Sequence, residues 1–492
     1  MIQSARAVIG VMSVLACACA TSQVVAQENP APSATAAQNA VPAVADTTMA
    51  TGGATGGERW TLDRCIATAL KQNGDARAAH ARTVQARGSA LRAWSGVLPS
   101  LTTDLFYSQS RPDKQSGFRG VFQDTTQPGD PQYNILLSRQ DFYTLEGGVT
   151  MNLFNVPAWK EKQRQNRLRQ GAGYGESETR NTVTFQVKQQ YFALLKADRL
   201  AQVSRESEKL AKDEETRSEA LFEVGTVARG DVLKARSHRA QTQLDRIHAE
   251  NQVEVQRSIL KQLIGVPPET AIEIEELLGE SVPLPDSVDV VHRALQSRPG
   301  LKQSFAAEQA ARTGLFGARA QRAPRVTGSV TVDRTRIKEQ LDLERSDPFA
   351  LALPGIQGDR YATQWQGAVR LSIPLFDGLA LEGSMRSAKG ALLEAEANRR
   401  QQELNVAVEV RTAWLGLREA VQRISVAKEG LASAEEDYKF SKGRYDLGAG
   451  TYLELLTSEV NLSDAKRSYV GALADARIAE ADLERAIGEK RY

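Results

Sequence analysis

Cysteine is scarce in this chain, with three residues in 492, and histidine hardly less so, with four. Two of the cysteines, Cys17 and Cys19, lie in an apolar N-terminal stretch. Removal of that stretch would leave Cys65 alone, which excludes an internal disulfide framework. The histidines are scattered over helical segments without the spacing of metal ligands. Because no Gly-rich phosphate loop, nucleophile elbow or zinc motif occurs either, we predict neither an enzyme nor a bound cofactor.

Long apolar runs are absent beyond the N-terminus, so the sequence predicts no transmembrane helix. At the N-terminus, Arg6 precedes a small and apolar run, followed by Val24-Val25-Ala26. This pattern is typical of a secretory signal peptide. We predict a signal peptide over residues 1–26, with cleavage after Ala20 as a second possibility and lipidation of Cys17 or Cys19 as the alternative.

The segment that follows the signal peptide, residues 27–59, is rich in Ala, Pro, Thr and Gly and poor in large apolar side chains. Such a segment cannot bury enough apolar surface to offset the entropy of ordering. We therefore predict a disordered leader there. The formal net charge is only +2, which gives no reason to expect a nucleic acid partner.

Proline is missing from two long stretches, between Pro157 and Pro267 and after Pro374. Helices of about 65 residues, roughly 100 Å long, are therefore possible over residues 158–223 and 380–446. The second carries a heptad seam of apolar and aromatic residues: Val410, Trp414, Leu417, Val421, Ile424, Leu431, Tyr438 and Tyr445. Shorter helices are predicted to pack along the long ones, over residues 62–96, 230–263, 287–321 and 452–487.

The two halves of the chain repeat each other. Gly225 and Gly265 correspond to Gly448 and Gly488 at a constant separation of 223 residues. Each half is predicted to fold as helix, strand, strand, long helix, turn and helix. We predict a first repeat over residues 60–265, a crossover with four prolines over 266–286, and a second repeat over 287–488.

Strand patterns occur between the short and long helices of each half. Alternating polar and apolar residues predict strands of about ten residues near 98–108, 142–154, 325–333 and 362–376, with loops over 109–141 and 334–361 between them. These strands by themselves fit an outer-membrane barrel and the half-buried sheet of a soluble α+β domain equally well. Four strands cannot close a barrel, so the membrane interpretation requires several chains.

The chain resembles the TolC-type outer-membrane efflux family over residues 60–488. The resemblance rests on the duplication and signal peptide together with a set of short motifs: Trp60-Thr61-Leu62, Leu98-Pro99-Ser100-Leu101, Ala323-Pro324-Arg325-Val326, Ile373-Pro374-Leu375-Phe376-Asp377-Gly378, and the turns at Val224-Gly225-Thr226 and Tyr445-Asp446-Leu447-Gly448. It implies a mainly α-helical fold with a membrane β-barrel, in which a homotrimer shares 12 strands and extends a tapering α-helical barrel into the periplasm.

The resemblance also implies a function. A member would be a passive channel of a tripartite efflux or type I secretion system, located in outer-membrane lipid and coupled through a periplasmic adaptor to an inner-membrane pump. The alternatives are an exported soluble coiled-coil scaffold, which leaves the strands unexplained, and an exported enzyme, for which the sequence offers no site.

The same resemblance assigns roles at the two turns. It implies adaptor contact at Gly225, Thr226, Gly448 and Ala449. It further implies a pore gate in which Glu454 rings the opening while Asp231 bonds Tyr445 and holds the tip shut. The chain departs from the family pattern at Thr457, where a second acidic residue is common, and at Gly450, where an Arg is usual.

Overall fold

The computed structural model describes residues 60–110, 121–122, 133–275, 279, 282–345 and 356–488. All of them belong to one compact unit, residues 57–492. The predicted signal peptide and leader lie outside the described residues. The helices are α1 (Leu62–Gln72), α2 (Gly74–Arg92), α3 (Val156–Glu223), α4 (Arg229–Ile264), α5 (Ser287–Ser297), α6 (Pro299–Ala320), α7 (Ala380–Asp446) and α8 (Tyr452–Ile487). The strands are β1 (Ser100–Ser110), β2 (Val121–Phe122), β3 (Tyr133–Phe154), β4 (Arg325–Arg345) and β5 (Ile356–Ser372).

The two long helices are confirmed. They are α3, with 68 residues, and α7, with 67. Helix α3 begins after Asn155, whose side-chain oxygen accepts a hydrogen bond from the backbone N–H of Ala158 at 3.1 Å. Pro157 stands in the first turn, where its missing N–H removes no helical hydrogen bond. The predicted seam of α7 faces the core, since Val410, Leu417, Ile424, Tyr438 and Tyr445 are all buried.

Two of the short helices that were predicted to be continuous are each broken into two, so those two predictions are wrong. The helix expected over 62–96 is broken at Asn73, and the one expected over 287–321 is broken at Arg298. Asn73 leaves helical geometry because its side chain caps α2, accepting from the backbone N–H groups of Asp75 and Ala76. Arg298 does so because Pro299 follows it, and a residue before proline is forced away from helical ψ.

Strands β1, β3, β4 and β5 pair in that order, all antiparallel, so the strand pairs of the two repeats join side by side through β3 and β4. The predicted length of about ten residues is right for β1, with 11, and wrong for the others, with 22, 21 and 17. Much of the predicted loops 109–141 and 334–361 is therefore strand; residues 111–120, 123–132 and 346–355 lie outside the described residues. The strands extend beyond the segments of alternating apolar residues because hydrogen bonds between the backbones of neighbouring strands form whatever the side chains are.

One residue at the same place in each repeat anchors the crossover between the repeats. The hydroxyl of Tyr191 donates to the carbonyl oxygen of Glu275 at 2.7 Å, and the indole N–H of Trp414 donates to that of Pro285 at 2.8 Å. Tyr191 is buried, and burial is the main reason why its pKa rises to about 12. These bonds fix an irregular segment against the middle of both long helices.

Candidate functional site: the helical tip

Two helix ends with matching backbone geometry form a feature that we call the helical tip, residues 224–228 between α3 and α4 and residues 447–451 between α7 and α8. Gly225 and Gly448 have positive φ angles of 78° and 70°, a conformation that glycine adopts without strain. The backbone N–H of Thr226 donates to the carbonyl oxygen of Leu221 at 2.9 Å, and that of Ala449 to Arg444 at 2.8 Å. The repeat that the sequence showed is therefore a repeat of backbone hydrogen bonding.

The apolar side chains of the tip point into solvent. Val224 is 72% exposed and Leu447 is 85% exposed. Side chains of this size are unusual on a tight turn facing water, unless another surface covers them. The four residues predicted to contact an adaptor, Gly225, Thr226, Gly448 and Ala449, lie directly beside these two.

Glu454 lies in the first turn of α8. Its carboxylate accepts from the backbone N–H of Thr451 at 3.3 Å, and its own N–H donates to the Thr451 hydroxyl at 3.2 Å. This capping box satisfies two backbone donors that a helix start leaves open. The side chain is about half exposed, and a guanidinium nitrogen of Arg444 lies 3.8 Å from its carboxylate. Glu454 is therefore fixed in place and still able to present charge to solvent.

Asp231 and Tyr445 do not form within one described chain the hydrogen bond expected between them. The carboxylate of Asp231 instead accepts from the ammonium of Lys234, one helical turn along α4, at 3.1 Å. The hydroxyl of Tyr445 is buried beside that of Ser218, which opposes the effect of burial on the pKa of Tyr445. The pKa of Tyr445 is raised, chiefly by burial, while Asp231 acts on it only through its charge.

Buried and partly buried polar groups from all four tip helices meet just behind the turns. Nε2 of His238 lies 3.6 Å from Oε1 of Glu459, and Nζ of Lys442 lies 3.9 Å from Oε1 of Glu214. Burial raises the pKa of the Glu214 carboxyl; Lys442 and Arg217 oppose that rise, and Glu459 adds to it. Polar groups without a strong partner cost stability inside a protein, so this layer stabilises the tip less than its burial alone would suggest.

Sequence reasoning missed this layer. Its clearest signal is the spacing of Ser207, Ala211, Glu214 and Ser218, which follow one another in steps of four, three and four along one face of α3. All four residues are buried. A carboxylate on a heptad seam is the anomaly that would have pointed to Glu214.

The geometry of repeated long helices, an inserted sheet and matching turns agrees with comparison to known proteins. The family model described as outer membrane efflux protein matches residues 65–266 and 290–489, one match to each repeat. The chain belongs to the outer membrane efflux protein family. Membership places it in the outer membrane, and the predicted class of fold, with two tandem repeats, is confirmed.

Three relatives illustrate how distant the members of the efflux family are. The outer membrane efflux protein BepC of Brucella suis is 25% identical over 128 residues, 26% of this chain and 28% of BepC. The outer membrane protein TolC of Escherichia coli is 22% identical over 354 residues, 69% of this chain and 68% of TolC. A solved structure of CusC superimposes with a TM-score of 0.71 at 18% identity, covering 87% of this chain and 92% of CusC, which shows a shared fold.

Two further observations concern the described residues taken together. Among the described residues, no helix is both long and apolar enough to cross a bilayer. Within the same ranges, no group of three or more His, Cys, Asp or Glu side chains is arranged to hold a metal ion.

The departure of this efflux protein at Gly450 has a structural counterpart nearby. Arg444, in the last turn of α7, donates from its guanidinium to the carbonyl oxygen of Ala449 at 3.0 Å. A guanidinium therefore braces the turn from the helix before it, although residue 450 itself has no side chain.

Proposed function

We propose that the chain is the outer-membrane and periplasmic channel of a tripartite efflux or type I secretion system, a passive conduit coupled to an inner-membrane pump through a periplasmic adaptor. Support comes from family membership, since the family consists of channel proteins, and from the open edges of the sheet. A conduit has no motor of its own, and the sequence carries no nucleotide-binding loop. The energy for transport would therefore come from the pump.

The sheet edges are the observation that carries this proposal. In the path β1-β3-β4-β5, both β1 and β5 have only one paired side among the described residues. An open edge cannot stay unpaired in lipid, because its N–H and C=O groups have no water to bond. In a homotrimer, β1 of one chain would pair with β5 of the next and give 12 strands in a closed barrel.

One preparation tests assembly and conduction together. The full protein, purified from outer membranes in detergent, should have the mass of a trimer and form channels in planar bilayers. A monomer or dimer that still inserts into lipid would contradict the proposed barrel, and a trimer that never conducts would contradict the conduit.

We further propose that Glu454, Asp231 and Tyr445 belong to the pore gate. Around a threefold axis, three copies of Glu454 would lie near one another at the narrow end, where they attract cations. Glu454→Gln removes this charge and retains a side chain that can complete the capping box. We expect the cation-over-anion permeability ratio to fall roughly fivefold, corresponding to about 1 kcal/mol.

Reversal potentials measured in a salt gradient give the permeability ratio of each channel. Glu454→Asp is the matched control, since it keeps the charge, and it should behave like the parent. If Glu454→Gln and the parent have the same ratio, the selectivity of the channel does not arise at Glu454.

We propose that the adaptor contacts Gly225, Thr226, Gly448 and Ala449. The neighbouring side chains of Val224 and Leu447 are apolar and exposed, so they are available to pack against the adaptor. Cysteines placed at 226 and 449 can be crosslinked in cells without interference from Cys65. That thiol is buried, and burial raises its pKa to about 12, so it is poorly reactive. Adducts with the adaptor are expected at both positions. Ser425→Cys, exposed on α7 far from the tip, should give none, and equal labelling at all three positions would refute contact at the tip.

A further inference from the structure

The sheet has one apolar face, which the strand register defines. Val330 of β4 pairs with Val149 of β3, which pairs with Leu101 of β1, and all three point to the same side. Side chains alternate between the two faces, so Arg334 and Arg336, four and six residues after Val330 on β4, lie on the same face as Val330. The opposite face carries mostly polar side chains, among them Thr327, Ser329, Thr331 and Asp333. In the barrel proposed above, the apolar face is the one that meets lipid.

Toward the loop end of the sheet, this apolar face ends in a row of tyrosines with arginine among them. Tyr107, Tyr143, Arg336 and Tyr361 are directly paired across the four strands. The rings of Tyr107 and Tyr143 lie 5.0 Å apart. Tyrosines in a row across neighbouring strands are typical of the boundary between lipid and water. We call these four residues the outer row.

The position of the outer row along the strand agrees with that boundary. From Val326, at the helical end of β4, to Arg336 there are ten residues. At about 3.4 Å per residue and a tilt of about 40°, they span roughly 26 Å along the membrane normal. This matches the apolar band of an outer-membrane barrel, which is about 25 Å tall. The outer row therefore lies at the external surface of the bilayer.

Three cationic side chains, those of Arg334, Arg336 and Lys338, lie on the apolar face at or next to the outer row. Arg336 is held between the carboxylate of Asp359, at 2.6 Å, and the ring of Tyr361, at 5.3 Å. The guanidinium of Arg334 lies 5.7 Å from the ring of Tyr361, and the ammonium of Lys338 lies 5.9 Å from the ring of Tyr143. Arg334 and Lys338 are both exposed, and Arg334 has no carboxylate partner among the described residues. Lys338 is paired across the strands with Asp141 and Asp359, whose carboxylates also accept hydrogen bonds from Tyr107 and Arg336. Three cations thus face two carboxylates at this level, which leaves a net positive charge directed toward lipid.

We propose that Arg334 and Lys338 bind the phosphate groups of an anionic glycolipid of the outer leaflet, with Arg336 and the tyrosines as a fixed platform between them. This proposal rests on the barrel proposed above. A net positive charge at a membrane surface is stabilised by an anionic headgroup. Guanidinium and ammonium are the groups with which proteins most often bind phosphate. Tyrosine rings pack against the upper acyl chains and carry hydroxyls that face the headgroup.

The test compares lipid binding by two double variants. Arg334→Gln with Lys338→Gln removes two of the three positive charges and leaves Arg336 bonded to Asp359. The full trimer in detergent is titrated with lipid A, and bound lipid is counted by native mass spectrometry. At about 1 kcal/mol for each surface cation, affinity should fall roughly thirtyfold. The control, Arg325→Gln with Arg370→Gln, changes two strand arginines at the helical end of the sheet and should bind as the parent does.

Three results would overturn the proposal. The first is that the Arg334 and Lys338 double variant binds lipid A as tightly as the parent does. The second is that the parent binds dephosphorylated lipid A as tightly as lipid A. The third is that inorganic phosphate displaces lipid A fully, which would make this a site for a free ion. Trimer mass and conductance are recorded for every preparation. A trimer that conducts but ignores lipid A contradicts this inference alone, whereas loss of trimer and conductance in the parent contradicts the proposed function.

Discussion

Replacing Arg298 with methionine is expected to destabilise the folded protein by roughly 1.5–3 kcal/mol, the contribution of a hydrogen bond to a charged group, since Glu409 keeps Arg485 as a partner. Arg298 is only 5% exposed. Its guanidinium lies 2.6 Å from the Glu409 carboxylate of α7 and donates to the carbonyl oxygen of Ala486 in α8 at 3.2 Å. It also donates to Glu178 of α3 at 3.4 Å. One side chain at the break between α5 and α6 thus ties three other helices together.

The pH dependence of this effect has a definite sign. Burial alone would raise the pKa of Glu409, but Arg298 and Arg485 outweigh it and hold the pKa below the ordinary value of 4.5. A carboxyl with a lowered pKa stabilises the fold above that ordinary value and ceases to do so as pH falls through the lowered one. The difference in stability between parent and Arg298→Met should therefore shrink as pH drops below about 4.5.

Urea denaturation of the detergent-solubilised protein, followed by circular dichroism, measures the effect. Arg423→Met is the matched control, because Arg423 forms an exposed pair with Glu419 on α7. It should change stability by no more than about 0.5 kcal/mol. Equal denaturation midpoints for parent and Arg298→Met would contradict this account.

How much the sequence predicts depends on which interaction sets each feature. The long helices could be predicted from local signals. A stretch without proline permits a continuous helix, and the glycines at 225 and 448, which adopt positive φ, mark where each helix ends. The helix α8, over Tyr452–Ile487, is bounded as predicted because a cap and a glycine define its ends. The breaks at Asn73 and Arg298 were missed although their local signals, a capping side chain and a following proline, are present in the sequence.

Features that depend on distant partners were predicted least well. The outer part of β4 looked like a polar loop, because its pairing with β3 and β5 is a property of the sheet. Glu214 received no prediction, since its burial depends on distant residues of α7 and α8. Asp231 and Tyr445 were assigned a bond by resemblance, although Lys234, three residues away, is the partner that Asp231 has in the chain.

The ring of Tyr445, rather than its hydroxyl, is expected to hold the tip closed. Tyr445 is 8% exposed in a cluster with Ala235 of α4, Tyr438 of α7, and Tyr452 and Leu455 of α8. Its ring centre lies 6.0 Å from that of Tyr452. This cluster joins α4, which follows the first turn, to α7 and α8 on both sides of the second turn, so that spreading the tip would expose it. The polar group beside the Tyr445 hydroxyl is the neutral hydroxyl of Ser218, so we expect the Tyr445 hydroxyl to contribute less than the ring.

Tyr445→Ala and Tyr445→Phe should therefore behave differently in single-channel recordings. Truncation of a buried aromatic ring to alanine costs roughly 3–5 kcal/mol, and if opening the tip disrupts the cluster, the open-to-closed ratio should rise at least about a hundredfold. Tyr445→Phe keeps the ring and should stay close to the parent. Phe440→Ala, which removes an exposed ring from the same helix, is the control and should also leave the ratio unchanged. If Tyr445→Phe opens the channel as far as Tyr445→Ala does, the latch is a hydrogen bond of the hydroxyl after all, and the packing account is wrong.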